Sequence, residues 1–239
     1  MKQISVFIFL ISTALNPTYQ VHAESFTLNT RQRVKDASGQ WAVSQQKVLW
    51  NAKETAVIVC DMWDLHHCKN AVVRVGELTP RMNIFLNKAR KSGSFIIHAP
   101  SSCTGFYDGH PSRQRALNAP KAKNYPKDIE SWCNWIDKVE ELQGYPIDHS
   151  DGGEDDDPTE HAAWAKHLSE IGRNPRSPWK RQVEGIDINP QHDAISDNGI
   201  EIWNLLEARN IKNVMLVGVH TNMCVLGRPF GLRNMTNKD

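Results

Sequence analysis

Three uninterrupted apolar runs constrain the fold of this 239-residue chain more than any other feature. They cover residues 56–60, 94–99 and 213–219. A strand that is apolar without alternation is buried on both faces, which is typical of a parallel sheet covered by helices. Apolar residues at helical spacing over 80–92 and 197–209 add the strand–helix alternation of an α/β protein. We therefore predict a three-layer α/β fold with a parallel sheet.

Capping and turn residues predict where other elements begin and end. Thr79 is a suitable N-cap with Pro80 at the first helical position, and Gly93 suits the end of that helix. Short alternating stretches within residues 25–50 flank a turn and predict a β-hairpin that leads into the domain. Residues 183–188 are predicted to form one more strand.

Residues 101–180 are the least regular part of the chain, and we interpret them as a long insertion over one edge of the sheet. Most of its tryptophans are expected to anchor this segment to the core, because aromatic burial fixes a long excursion in place, and the alternative is an apolar lid over the pocket. The tryptophans of the insertion are Trp132, Trp135, Trp164 and Trp179. The acidic stretch 151–157 is interpreted as a solvated loop, since it lacks the ordered spacing of a calcium loop. Residues 24–239 show no internal repeat and are expected to form a single domain.

The first 23 residues have the pattern of a secretory signal peptide. Lys2 supplies a positive charge, Ile4 to Leu15 is an apolar core, and Val21 and Ala23 place small residues before a cleavage site. A membrane-spanning helix needs about 20 apolar residues, so an anchor is the weaker interpretation. We therefore expect an exported protein, periplasmic or secreted, that is cleaved after Ala23.

The charge balance indicates which partners to expect. The chain has 28 Lys and Arg against 27 Asp and Glu, a formal net charge of +1. It therefore has no basic excess for nucleic acid or an anionic membrane, and a small-molecule substrate is expected. Five cysteines follow the signal peptide, so at least one thiol is free or bonded to another molecule. They are Cys60, Cys68, Cys103, Cys133 and Cys224.

Two reactive residues are predicted to meet at the carboxyl edge of the sheet, where ligands bind in such folds. Asp61 ends the first strand and Cys224 follows the last. Thr221 or Asn222 can cap a helix that starts at about Asn222, and its dipole would lower the pKa of the Cys224 thiol. Its N–H groups can bind an oxyanion, and Asp61 can carry the proton. The alternative is a small core cysteine and an aspartate that caps a turn.

Two segments resemble the isochorismatase-like cysteine hydrolases, a family that includes nicotinamidases and N-carbamoylsarcosine amidase. The segment 218–225 is similar to the nucleophile motif that follows an apolar strand. The segment 57–64 matches the second hallmark, an aspartate that closes the first strand. The resemblance covers roughly residues 55–235 and implies a Rossmann-like fold and a homo-oligomer. It also implies hydrolysis of a C–N bond, because isochorismatases proper lack the cysteine.

The resemblance also implies roles for individual residues, as members of a Cys-Asp-Lys triad. Cys224 would be the nucleophile and Asp61 the proton acceptor and donor. The peptide bond before His220 would be cis, and the N–H groups of His220 and Cys224 would form the oxyanion hole. No lysine lies in residues 188–197, where the family places it. Lys180 is our candidate for the third member.

Two further departures from the family concern the pocket, because residues 61–66 replace the usual Asp-x-Gln-x-Asp-Phe, and the length of the chain. Arg181 is a second candidate for the missing cation, and surface charge is the alternative role for both Lys180 and Arg181. Members of the family normally continue with another strand and helix, whereas this sequence ends 15 residues after Cys224. We therefore expect that a C-terminal strand and helix are missing, through a truncated gene or a fragment.

The expected substrate pocket contains Trp63, Phe106 and Tyr107, which follow the first two strands. Asp108 and His110 resemble the Asp-x-His-Pro metal ligands of nicotinamidases, but they lie further past their strand and no third ligand is assignable. Other candidate ligands, by donor type alone, are Asp64, His66 and His67. We expect no cofactor to be required, a divalent metal being the alternative.

Our leading hypothesis is a cysteine-dependent hydrolase of a small amide or other C–N substrate. The first alternative is a catalytically inactive binding relative of the same fold, without the lysine and shortened at its C-terminus. The second is a thiol-redox or metal-binding role for the odd cysteine. The substrate itself cannot be derived from these residues.

Overall fold

The computed structural model describes residues 24–135 and 154–236. The predicted signal peptide at 1–23 and residues 151–153 of the acidic stretch lie outside the described residues. The described chain is an α/β protein with a four-stranded parallel sheet and a separate antiparallel hairpin, compatible with a Rossmann-like fold.

The strands and helices alternate along the chain after an N-terminal hairpin. The hairpin pairs β1 (Ser25–Lys35) with β2 (Trp41–Asn51), which confirms the prediction for this segment. The parallel sheet has the order β5-β4-β3-β6 and consists of β3 (Thr55–Cys60), β4 (Phe95–Ala99), β5 (Ala194–Ile195) and β6 (Asn213–Gly218). The helices are α1 (Lys69–Ser92), α2 (Pro111–Leu117), α3 (Pro158–Glu170), α4 (Gly199–Ala208), α5 (Cys224–Gly227) and α6 (Leu232–Thr236). Short 3-10 turns occupy Ala52–Glu54 and Thr104–Tyr107.

Strands β3 and β4 are buried on both faces, as their apolar runs predict, whereas β6 at the edge of the sheet is half-buried. Val57 and Val59 of β3 lie in a cluster with Leu86 of α1, on one face. The alternate residues of β3 point to the opposite face, where Ile58 shares a cluster with Ile202 of α4. Two helices therefore cover the sheet from opposite sides, and the carboxyl ends of its strands are free to carry a site.

The first helix begins eleven residues earlier than predicted. Cys68 is its N-cap, with Sγ accepting a hydrogen bond from the N–H of Ala71 at 3.4 Å, and Pro80 lies inside the helix. Thr79 is not a cap, because its hydroxyl donates to the carbonyl of Val75 one turn back. A 24-residue helix packed on a sheet tolerates an internal proline, since packing and not propensity supplies most of its stability. Gly93 ends the helix in a left-handed conformation (φ +99°), as predicted.

The predicted strand at 183–188 is wrong. Within the described chain this segment has no strand, and β5 is instead the two-residue pair that precedes α4. The segment is held by side chains: His98 of β4 lies between the Gln182 amide oxygen (2.8 Å) and the Asp193 carboxylate (3.0 Å). Buried polar groups therefore tie this loop to the sheet, which an apolar pattern cannot reveal.

The insertion at 101–180 is more regular than predicted, because it contains α2 and α3. Helix α2 packs on β5 and α4, and α3 packs on α1. Trp164 donates its indole N–H to the carbonyl of His66 at 2.9 Å, and Trp179 stacks on Trp63 with ring centres 4.5 Å apart. These two tryptophans act as anchors, whereas Trp135 is exposed. No helix among the described residues is long and apolar enough to cross a membrane.

Candidate active site

Asp61 and Cys224 come together at the carboxyl edge of the sheet. Strands β3 and β6 are parallel neighbours with Cys60 paired to Gly218, so the residues that follow them share one rim. Asp61 is fully buried and has a left-handed backbone (φ +48°), which is uncommon for a residue with a side chain and recurs at functional sites. Its carboxylate accepts a hydrogen bond from the N–H of Ser101 at 2.9 Å.

The Cys224 thiol is buried against this carboxylate. Burial raises the pKa of the thiol to about 12, and the charge of Asp61 and a hydrogen bond with its carboxylate act in the same direction. The expectation of a lowered thiol pKa is therefore wrong. The helix that follows has only four residues, from Cys224 to Gly227, and neither Thr221 nor Asn222 caps it. Its dipole is short, so desolvation dominates and the resting sulfur is a neutral thiol.

Two effects oppose this rise and would favour a thiolate as it forms. The charge of Arg228 lowers the pKa of the Cys224 thiol, and the nearby backbone N–H of His220 acts in the same direction. The Val219–His220 peptide bond is cis, in agreement with what the resemblance implies. Within the described residues, no carbonyl accepts a hydrogen bond from the N–H of His220 or of Cys224. Both N–H groups are therefore available as donors to an oxyanion formed on a substrate.

Arg228 is the cation that binds Asp61, in place of the candidates Lys180 and Arg181. Its Nε donates to the Asp61 carboxylate at 2.9 Å, and its backbone N–H donates to the carbonyl of Cys224. Burial acts against its charge, but Asp61 and the Cys224 sulfur raise the pKa of the guanidinium above its usual value. The signal was a basic residue four positions after the nucleophile, the spacing that spans one helical turn.

Neither sequence candidate for the third catalytic group reaches Asp61. Lys180 is exposed, and its backbone N–H donates to the Asp64 carboxylate at 2.9 Å. Arg181 pairs with Glu184, three residues further along the chain. Asp64 itself is bound by Arg173 at 2.9 Å. The segment around Lys180 thus binds Asp64 and not Asp61. The expectation that Lys180 is the third catalytic residue is therefore wrong.

The three expected pocket residues differ in their positions. Trp63 is buried next to the site, with the guanidinium carbon of Arg228 5.8 Å from its ring centre. Phe106 is 61% exposed. The Tyr107 hydroxyl accepts a hydrogen bond from the N–H of Gln182, which gives this residue a structural role. Of these three candidates, Trp63 is the one with a described contact to Arg228, the partner of Asp61.

The sequence candidates for a metal site do not converge in the described chain. His110 caps α2 through Nδ1, which accepts from the N–H of Ser112 at 3.1 Å, and Asp108 is exposed. His66 accepts from the N–H of Cys68, and burial and the neighbouring His67 lower the pKa of its ring to about 3. A ring that stays neutral over the physiological range fits a packing role beside Trp63.

A different cluster brings ligand atoms within 4.8 Å of one another at the start of α1. Its members are Cys68, Glu154, Asp155 and Asp156. Asp156 accepts hydrogen bonds from the N–H groups of Lys69 and Asn70, and Asp155 pairs with Arg74 at 2.7 Å. These contacts cap the helix and account for the position of both carboxylates.

Comparison with known proteins adds no family. No family model matches the chain, and no curated protein matches it significantly. The functional argument therefore depends on the geometry around Asp61 and Cys224.

Proposed function

We propose that this protein is a cysteine-dependent hydrolase of a small amide or other C–N substrate, with Cys224 as the nucleophile and Asp61 as the proton carrier. The observation that supports it most is the buried thiol–carboxylate pair, at which the charge of Arg228 and the N–H of His220 favour the thiolate form. The pair lies at the carboxyl edge of a parallel sheet, where ligands bind in such folds, and this position favours chemistry over packing. The same proposal includes a three-layer, isochorismatase-like fold and export after removal of residues 1–23.

The proposed reaction has two halves. In the first, Asp61 accepts the Cys224 proton while the sulfur bonds to the substrate carbonyl carbon, and the N–H groups of His220 and Cys224 hold the oxyanion. Asp61 then passes the proton to the leaving nitrogen as the C–N bond breaks, which leaves a thioester. In the second half, water gives a proton to Asp61 and attacks the thioester. The Cys224 sulfur leaves, recovers the proton and completes the cycle.

A high resting pKa of the Cys224 thiol is compatible with this scheme. The proton moves to Asp61 only as the S–C bond forms, so a free thiolate need not accumulate. The enzyme would therefore react slowly with general alkylating agents but rapidly with an amide whose carbonyl oxygen occupies the oxyanion site.

The test is ammonia or amine release from a panel of small primary amides and N-carbamoyl compounds, with intact-mass analysis after acid quench. We expect turnover and a transient acyl adduct on Cys224, both of which are absent in Cys224→Ser. Cys103→Ser is the matched control, because burial also raises the pKa of that thiol to about 12 but the Cys103 sulfur has no described N–H donor from the oxyanion site. Turnover that survives Cys224→Ser would overturn the proposal. Binding without turnover across the panel would favour the inactive relative.

A further inference from the structure

The segment that carries the nucleophile also carries the positive charge of the site. Arg228 directly follows α5, so its backbone is fixed one turn from Cys224 by an N–H to carbonyl hydrogen bond of 3.1 Å. Its Nε then reaches the Asp61 carboxylate at 2.9 Å. The side chain of Asp61 is fully buried and that of Arg228 is 20% exposed, so this ion pair is largely shielded from water.

Two tryptophans hold the guanidinium in place. Its carbon lies 4.8 Å from the ring centre of Trp132 and 5.8 Å from that of Trp63. Trp63 is oriented by an indole N–H bond to the carbonyl of Ser101. Trp132 packs so tightly on Gly227 that a Cβ at this position would lie 2.5 Å from the indole nitrogen. Cation–π contact on two sides fixes the charge and excludes water from it.

We propose that Arg228 is a positioning residue, which orients the Asp61 carboxylate and stabilises the negative charge that moves between Asp61 and Cys224. The inference rests on the proposed function and assigns Arg228 to the place for which the sequence offered Lys180. It differs from a lysine in one chemical respect. A guanidinium does not release its proton near neutral pH, so every proton transfer at this site passes through Asp61.

Charge balance explains why this position needs a cation. Before proton transfer the site holds a carboxylate, a thiol and a guanidinium. After transfer it holds a carboxylic acid, a thiolate and the same guanidinium. The net charge is zero in both states, and the proton moves without leaving an unpaired buried anion. Without Arg228 each state would contain one buried, uncompensated negative charge, which is strongly unfavourable.

The experiment measures the pH dependence of Cys224 alkylation by iodoacetamide, with the labelled cysteine identified by mass spectrometry. We expect Arg228→Gln to slow alkylation about tenfold or more at pH 8, since loss of the cation raises the thiol pKa by about one unit. Arg228→Lys restores the charge and is expected to stay within about threefold of the natural protein. Amide turnover should fall in Arg228→Gln and recover in Arg228→Lys.

Arg173→Gln is the matched control, because Arg173 has a similar exposure (19%) and binds Asp64 on the same side of the molecule. It should leave Cys224 alkylation unchanged. Unaltered rate and pH profile in folded Arg228→Gln would overturn the proposal. If Arg228→Gln does not fold, Arg228→Lys tests the proposal alone. A folded lysine variant in which Cys224 alkylation falls more than tenfold would show that Arg228 does not act through its charge. Alkylation requires no substrate. The role of Arg228 can therefore be tested even if no amide of the panel is hydrolysed.

Discussion

Two buried aspartates, Asp193 and Asp61, each pair with an arginine, but their remaining contacts differ. Arg90 binds the Asp193 carboxylate through Nε and a terminal nitrogen at 2.7–3.0 Å. The ring of His98 and the N–H of Asn189 make the other hydrogen bonds to this carboxylate. Burial acts to raise the pKa of Asp193, but these donors outweigh it and hold the pKa below its usual value. Asp61 receives a single nitrogen of Arg228 and one backbone N–H.

The difference separates a structural carboxylate from one that can work as a base. Four nitrogens bind the Asp193 carboxylate and join it to α1, β4 and the loop before β5, so protonation would break several bonds at once, whereas two nitrogens bind Asp61. Asp61 retains acceptor capacity and directs it towards a thiol, a group that can give up a proton. The number of fixed donors around a buried carboxylate thus indicates which of the two roles it has.

The largest expected effect is on turnover, from replacing each carboxylate by its amide. Asp61→Asn should lower amide turnover by about 10²–10⁴-fold, the usual contribution of a general base. Asp193→Asn should leave the rate per folded molecule near that of the natural protein, because its contacts do not reach Cys224. The measurement is kcat, normalised to the folded fraction from near-UV circular dichroism. Comparable losses in both variants would erase the proposed distinction.

The second prediction concerns stability. Arg90→Met leaves the Asp193 carboxylate buried without its cation and should lower the free energy of unfolding by about 3–5 kcal/mol. Urea denaturation followed by circular dichroism measures it. Arg81→Met, an exposed position on the same helix, is the control and should stay within about 0.5 kcal/mol. A loss below about 1 kcal/mol in Arg90→Met would show that the Asp193 network is not a clamp.

The third prediction concerns the buried thiols of Cys103 and Cys224, both of which feel the charge of Asp61. Burial raises the pKa of Cys103 and Cys224 to about 12 from 9.0, so the unfolded chain loses these protons first as the pH rises. The free energy of unfolding should therefore fall above about pH 9, by about 1.4 kcal/mol per pH unit for each such thiol.

Urea titrations at pH 8, 9 and 10 measure this slope. Cys60 and Cys68 also have a raised thiol pKa and contribute in the same direction; Cys103→Ala removes one thiol of this set and should flatten the decline by about 1.4 kcal/mol per pH unit. An unchanged slope in that variant would mean that the Cys103 thiol titrates normally in the folded protein.

The smallest effect is expected at the residue that the sequence analysis chose. Lys180→Ala should change turnover by less than about twofold and stability by less than about 0.5 kcal/mol, since the side chain is exposed and only its backbone N–H is used. Steady-state kinetics on the best substrate of the panel is sufficient. A loss above tenfold would move the catalytic cation back to Lys180 and away from Arg228.

The parts of the fold that follow from local pattern were predictable. The strand over 55–60 is a continuous apolar run, and Gly93 ends a helix because it accepts a positive φ. Pro80 misled the prediction, since a helix-start signal looks the same when tertiary packing carries the helix through it. Residues 183–188 contain apolar side chains but are fixed by polar contacts of Gln182 and Asp193.

The candidate site was predictable only where chain order determines it. Asp61 and Cys224 follow neighbouring parallel strands, so the fold alone brings them to one rim. The pKa of the thiol depends on burial and on the length of the helix after it, and neither is visible in a motif. Arg228 lies only four residues after Cys224, but its partner Asp61 is 167 positions away in the sequence, so the pair is not visible in a local motif.

The nine residues from His220 to Arg228 contain the sulfur, both N–H donors and the cation. This places almost the whole site in one short stretch of backbone beyond the end of the sheet, anchored at its start by the N–H of Val219 to the carbonyl of Cys60. Such a stretch can open as a unit at a cost below that of global unfolding. Activity would then disappear on heating before the sheet melts, and hydrogen exchange in this stretch would report catalytic competence better than the overall melting temperature does.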